Sequence, residues 1–429
     1  MKVALWLSTA ALLFGLTLSG GLVSQAQEDN HLDSLRRFSQ VLDIVESSYV
    51  DDISRSELIE DSIKGMLEQL DPHSAYLTAE DFKDMQESTA GQFSGIGIEI
   101  SLESGRLVVV SPIEDTPADK AGLLAGDIIL EIDGEPTQDI TLLDAVDRIR
   151  GEKGTTVTLT VMHKNDTKPI DVPIVRGTIP IIPVKTQVLD EGVLHVRLTR
   201  FNENTTNELH RQIGEYAAKH ELTGIVLDLR NNPGGLLDQA VSVSDTFLGE
   251  GLIVYIQGKA AAARRDFMAR SQSSDVDVPV VVLINAGSAS ASEIVAGCLQ
   301  DRKRALVLGE RSFGKGSVQQ IIPLSDGAGI KLTTALYYTP SGRSIQAEGI
   351  EPDLRVPFTP PVEDEDAAMR ARLTVRERDL SGHLENANGD APHKEGGPDA
   401  KALETLKKDN QLRLALELVR KLPQISQIQ

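Results

Sequence analysis

The chain has 429 residues, with 64 acidic side chains against 43 basic ones and a formal net charge of −21. That balance argues against nucleic acid or anionic lipid as the main partner, since both select for an excess of Lys and Arg. The length allows about two to three domains with cores of their own, and the single cysteine, Cys298, leaves no internal disulfide to hold them.

Met1-Lys-Val leads into an apolar run from Ala4 to Leu18, and Ser24-Gln25-Ala26 supplies small residues at the −3 and −1 positions of a cleavage site before Gln27. Residues 1–26 are therefore expected to be an export signal. The mature protein would be exported, periplasmic, and tethered to the membrane only if the signal stays uncut. The apolar run is shorter than the ~18 to 20 residues of a typical membrane span. Removal of the signal takes away Lys2 and no acid, leaving 42 basic residues against 64 acidic.

Residues 27–91 read as a helical segment. Leu35, Phe38, Leu42, Val45 and Tyr49 recur at helical spacing, and Leu58, Ile59, Ile63, Met66, Leu67 and Leu70 repeat the pattern until Asp71-Pro72 stops it. Such apolar stripes pack either on the same body or on a second copy, so a homo-oligomer through these helices is one candidate assembly. An adaptor protein is another candidate partner. His73 follows without any His or Cys at metal spacing, which favours a structural role for it.

Residues 92–175 change to short alternating strands with Gly and Asp-Gly turns, interrupted by one amphipathic helix from Thr141 to Arg150 with Leu142, Leu143, Val146 and Ile149 on one face. Residues 176–358 alternate strands such as Val193–Leu198, Ile225–Leu229, Val280–Ile284 and Ala305–Leu308 with helices, the pattern of an α/β core. Residues 359–429 begin as an acidic linker and end in a helix from Ala402 to Leu422. The fold class is thus mixed α/β and multi-domain.

Two segments of the core carry chemistry. Gly287-Ser-Ala-Ser290-Ala-Ser-Glu293 lies where the buried strand Val280–Ile284 passes to a helix, a place where unpaired N–H groups and the helix dipole favour an oxyanion. Ser290 with Glu293 also fits a plain capping box, and spacing alone does not choose among Ser288, Ser290 and Ser292. Gly314-Lys315-Gly316-Ser-Val-Gln319 offers a lysine in a Gly-bounded turn. To act as a base near pH 7, such a lysine must have its pKa lowered by about 3 units from ~10.4, worth roughly 4 kcal/mol of desolvation. Gln319 falls on the same side as Lys315 and could orient its amine. The run Gly309 to Gly316 nearly matches a phosphate-binding loop, but Gly316 stands where a Ser or Thr would hold magnesium, and a β-like stretch follows instead of a helix.

Two resemblances bring these segments together. Ser94-Gly95-Ile96-Gly97-Ile98, followed by Ala121-Gly122-Leu123 and Gly126-Asp127, resembles PDZ domains over about 80 residues. In such a loop, glycines let consecutive N–H groups converge on a peptide's terminal carboxylate, and a pocket of Ile98, Leu143 and Val146 would prefer an apolar last side chain. From Leu35 to Asp353 the order of segments resembles the carboxy-terminal processing (tail-specific) serine peptidases. The residues that carry it are the Gly287–Glu293 segment, Phe313-Gly-Lys-Gly-Ser-Val-Gln319 and Asp228-Leu-Arg-Asn-Asn-Pro-Gly-Gly235. The resemblance implies Ser290 as nucleophile, Lys315 as general base, Gln319 as the residue aligning the lysine, and the N–H groups of Gly235 and Ala291 as the oxyanion hole. It also implies polypeptide substrates with apolar C-termini, an acyl-enzyme, and no metal or cofactor. The alternatives are a catalytically idle PDZ scaffold, or amidase or esterase chemistry on small acyl groups, for which a strand-pairing groove has no use.

Overall fold

The computed structural model describes residues 31–103, 105–113, 115–138, 140–163, 168–260, 263–359 and 400–425. The predicted export signal and the acidic linker from 360 to 399 lie outside them, as does the side chain of Leu143.

The α/β core is built on a six-stranded sheet in the spatial order Val184–Asp190, Val193–Leu198, Gly224–Asp228, Val280–Ile284, Ala305–Gly309, Leu354–Arg355. The first two strands form an antiparallel hairpin and every later pair is parallel. Parallel neighbours need crossovers: the helices Thr205–Ala217, Leu237–Asp245 and Ala291–Asp301 lie in the first three, and the fourth, from Ala305–Gly309 to Leu354–Arg355, runs through the strands Ser317–Pro323 and Gly329–Tyr338.

Alternate residues of the buried strands divide between two layers. Ile225, Leu227, Val280, Val282 and Ile284 pack with Leu209, Ile213, Val243, Ile294 and Val295 of the crossover helices. Val226, Val281 and Leu283 pack with Leu412, Ala415, Leu416 and Val419 of the final helix, Asn410–Ile425. A strand covered on both faces reads as an unbroken apolar run, as Val280-Val-Val-Leu-Ile284 does. The final helix, legible in sequence only as the last helix of the chain, is a layer of this core. Cys298 is fully buried on the crossover side, where burial pushes its thiol pKa up to about 12 and leaves it inert.

The inserted β-rich domain is an antiparallel sheet ordered Ile98–Glu103, Arg106–Pro112, Ile128–Ile132, Thr156–Met162, Ile170–Val175. The helix predicted over Thr141–Arg150 is found at Leu142–Ile149, started by Thr141, whose hydroxyl accepts the Asp144 N–H at 3.1 Å. Ile96, Leu107, Val109, Leu123, Ile129 and Leu159 are among its core residues. The chain enters and leaves through a two-stranded ribbon, Gln92–Gly95 with Gly177–Pro180, as an inserted domain requires.

A separate unit comprises the described residues up to Thr78 together with Gln320–Thr333. Its helices span 31–48 and Arg55–Glu68, and Arg55 bonds Asp43 and Glu46 of the first from the start of the second. The strand Ala75–Leu77 pairs with Gly329–Lys331. Asp71 organises the turn before it, accepting from the backbone of His73 and Ser74 and from the hydroxyls of Ser74 and Thr333. Burial raises the Asp71 pKa, but these hydrogen bonds outweigh it and hold the carboxyl below its ordinary range.

Candidate active site

Strand Val280–Ile284 ends at the carboxyl edge of the sheet, and the chain turns through Asn285–Ala289 into helix Ala291–Asp301. Ser290 is the residue before that helix and has φ 57°, the left-handed region that residues with side chains rarely occupy. Its N–H is held at 2.7 Å by the Glu293 carboxylate, so the capping geometry expected from Ser290 and Glu293 is present in that direction.

Hydrogen bonding separates the three serines. Ser288 is buried, accepts from Asn285 N–H at 3.0 Å and donates to the Leu229 carbonyl at 2.8 Å. Ser292 is buried and donates to the Asn232 carbonyl at 2.9 Å. Both hydroxyls anchor the turn on the preceding strand's exit loop. Ser290 is only partly buried, and its hydroxyl neighbours that of Tyr337, with no hydrogen bond of ordinary length joining them.

The Asn231-Asn-Pro-Gly-Gly235 turn lies directly against the Ser290 turn. Ala289 N–H donates to Asn232 O at 3.0 Å, and Asn231 and Asn285 exchange two hydrogen bonds of 2.9 Å. A Cβ on Gly234 would stand 2.8 Å from Ser290 Cβ and 2.9 Å from Ala291 N, and one on Gly235 would stand 2.0 Å from Phe201 O. Both glycines also have positive φ, 96° and 145°. Space and backbone geometry therefore both demand glycine here. Among the described residues no acceptor takes the N–H of Gly235 or Ala291.

The lysine segment is tied to the same turn through Glu293. One carboxylate oxygen accepts from Ser290 N–H at 2.7 Å and Lys315 N–H at 2.9 Å, while the other accepts from Gly314 N–H at 2.7 Å and the Ser312 hydroxyl at 2.6 Å. The backbones of Ser290 and Lys315 are thus less than two hydrogen-bond lengths apart. Phe313 N–H adds a bond of 3.0 Å to Ser288 O. Glu293 is fully buried, and desolvation raises its pKa even though four donors oppose that shift. Lys315 is partly buried. Gln319 lies on the strand Ser317–Pro323, where its amide donates to Ser317 Oγ at 2.9 Å. Because that segment is a strand, the Gly309–Gly316 run is not followed by the helix on which a phosphate-binding loop depends, and the helix start beside it is already occupied by the Glu293 carboxylate, which removes the phosphate-loop alternative.

Two residues of this site were not singled out for it by the sequence. Glu293 was legible only as a helix cap, although an acid in an otherwise apolar helix turn is the signal that could have marked it. Tyr337 is buried, its backbone N–H bonds Gly316 O at 2.9 Å, and among the described residues its hydroxyl has only that of Ser290 as a polar neighbour. Burial and the nearby Glu293 charge both push its pKa up. Its place on a strand remote in sequence gave no cue.

The predicted peptide-binding residues form a separate group on the inserted domain. Strand Ile98–Glu103 is the edge of its sheet, and helix Leu142–Ile149 packs beside it. Ile98 and Val146 are partly buried, and Leu143 occupies the first turn of the helix. Gly95 is buried, and Gly97 has φ 82°, where a Cβ would fall 2.4 Å from Thr116 Cβ. Ile96 is 1% exposed, a core side chain whose contribution to a ligand is confined to its backbone.

A partly buried serine at a helix N-terminus, a glycine turn beneath it and a lysine turn beside it thus meet at one edge of the core sheet, and the class of protein that carries such a core beside an inserted domain of this kind is that of the serine-type peptidases with a PDZ domain. Residues 192–356 match the model of peptidase family S41, residues 94–174 that of the PDZ domain, and residues 18–81 that of the activating protease CtpB N-terminal domain. The carboxy-terminal-processing protease of Bartonella bacilliformis is 45% identical over 415 residues, covering 95% of this chain and 94% of that one. The carboxy-terminal processing protease CtpA of Bacillus subtilis is 33% identical, covering 81% and 74%. The solved photosystem II D1 C-terminal processing protease is 32% identical, covers 78% of this chain and 95% of its own, and superposes with a TM-score of 0.46. The chain belongs to the carboxy-terminal-processing proteases of peptidase family S41.

Proposed function

We propose that the chain is an exported endopeptidase that binds polypeptide C-termini on its PDZ domain and cleaves upstream with a Ser290/Lys315 dyad. The observation that carries this reading is the Glu293 carboxylate, which holds the backbones of Ser290 and Lys315 on one oxygen. Ser290 Oγ attacks the scissile carbonyl while Lys315 takes its proton, and the oxyanion is met by the N–H groups of Gly235 and Ala291. Lys315 returns the proton to the leaving amine, giving an acyl-enzyme, and then activates the water that releases it. Gln319 aligns the lysine. The exposed edge of strand Ile98–Glu103 receives the substrate tail as an added strand, with Ile98, Leu143 and Val146 beneath an apolar last residue.

Two further features belong to this proposal. The signal at 1–26 directs export, and mass spectrometry of the periplasmic protein should find Gln27 first. On helix 31–48, Leu35, Phe38, Val41 and Ile44 stand exposed at three-residue intervals, which supports a second copy of the chain as the partner there.

The deciding experiment is digestion of an unfolded protein with an apolar C-terminus by the parent, Ser290→Ala and Lys315→Ala. Fragments from the parent alone are expected. Cleavage persisting in Ser290→Ala would overturn the nucleophile assignment, and a parent that binds the tail without cutting would leave a scaffold.

A further inference from the structure

The loop that carries the glycine turn is held at its root by Arg230, whose side chain is 10% exposed. On one side the guanidinium forks onto Asp228, with Nε–Oδ1 at 2.9 Å and Nη2–Oδ2 at 2.7 Å. Asp228 is fully buried and also meets His195 Nε2 at 3.1 Å. On the other side Nη1 and Nη2 reach the Asp409 carboxylate at 3.1 and 2.7 Å, and Nη1 meets Gln411 Oε1 at 2.9 Å.

Asp409 and Gln411 stand at the start of the final helix. Asp409 caps it, accepting Leu412 N–H at 2.8 Å. Gln411 donates to Val356 O at 2.7 Å, and Val356 N–H in turn bonds Gly309 O at 2.8 Å, at the root of the segment leading to Lys315. The matched peptidase model ends at 356, so this clamp comes from outside it.

We propose that Asp409 and Gln411 are positioning residues for peptide cleavage. By holding Arg230 they fix the Asn231–Gly235 turn against Ser290 and Ala291, and with it the place where the oxyanion forms. The proposal rests on Ser290 and the Gly235 and Ala291 N–H groups acting as described above. Only Arg230's inner face is satisfied by Asp228. Without Asp409 and Gln411 the outer face is a buried charge lacking acceptors, and the loop is drawn toward water to hydrate it. Gly234 is four residues further on, and oxyanion donors act only within about 2.7–3.1 Å of the developing charge. The final helix is also seated by Leu412, Ala415, Leu416 and Val419 against the sheet, contacts that Asp409→Ser leaves in place.

The test uses the full chain with Asp409→Ser, which keeps a helix-capping hydroxyl and removes the carboxylate, alongside Arg230→Gln and the double variant. Ser290 labelling by a fluorophosphonate, kcat and KM on a peptide, inhibition by a peptide aldehyde, and binding of a C-terminal peptide are measured. Asp409→Ser is expected to lower kcat and the labelling rate at least about tenfold, with aldehyde affinity falling in parallel. KM and C-terminal peptide binding should stay within about twofold. The double variant should be no worse than Arg230→Gln, since the two residues act through one contact. Parent labelling rates in Asp409→Ser, or losses that add in the double variant, overturn the proposal. Equal loss of peptide binding with a collapsed thermal midpoint does so too, by making Asp409 a purely structural residue. A parent that is not labelled at Ser290 overturns instead the dyad on which it rests.

Discussion

Glu293 has two oxygens and four donors, so neither oxygen can be replaced by an amino group without setting donor against donor. Glu293→Gln is expected to cost about 1–3 kcal/mol of stability in urea unfolding and to abolish most cleavage. The wild type carries a pH signature that this variant lacks. Since burial raises the Glu293 pKa, the folded chain binds its proton more tightly than the unfolded chain. Its contribution to stability therefore declines as pH rises from the ordinary glutamate range through the raised value. Urea midpoints across that range should show the slope in the parent and not in Glu293→Gln; equal slopes would exclude Glu293 as its source. The pairing of a Ser-rich helix start with a Gly-Lys-Gly turn was legible in sequence because both parts are short and local. The choice of Ser290 was not legible from spacing, because Ser288 and Ser292 are taken by carbonyls 59 and 60 residues upstream. Such partners become visible only when two strands lie side by side.

At the level of elements, the site exists because neighbouring parallel strands deliver their exit loops to one edge of the sheet. Strand Gly224–Asp228 delivers the glycine turn, Val280–Ile284 the Ser290 turn and Ala305–Gly309 the path to Lys315. Gly234→Ala should therefore cut kcat at least about a hundredfold, through a Cβ pressed on Ser290 and Ala291 at a positive φ. C-terminal peptide binding should survive, because the PDZ sheet has its own core. Activity near the parent level would mean that the turn can move away from Ser290. Strand and helix positions within the PDZ domain and core were legible from apolar period and turn residues, with the PDZ helix found within one residue of each expected end. What the last helix covers was not, because an amphipathic pattern states that a face is buried and not which strands bury it.

On the scale of the molecule, the exposed row Leu35, Phe38, Val41 and Ile44 is the feature least suited to a solitary chain. Light scattering of the purified protein should give a mass above that of one chain, and Leu35→Glu with Phe38→Glu should return it to one; a parent that is already monomeric would assign that row to another partner. The final helix imposes an order of events. It closes the sheet face of Val226, Val281 and Leu283, and its clamp on Arg230 spans 179 residues of chain. Contacts of such separation close late in folding, after local hairpins and helices have formed. A nascent chain emerging from its N-terminus would hold substrate-binding parts before it held a finished catalytic centre. Proteolytic competence would then arrive with helix Asn410–Ile425, a delay that spares neighbouring polypeptides from a half-made enzyme.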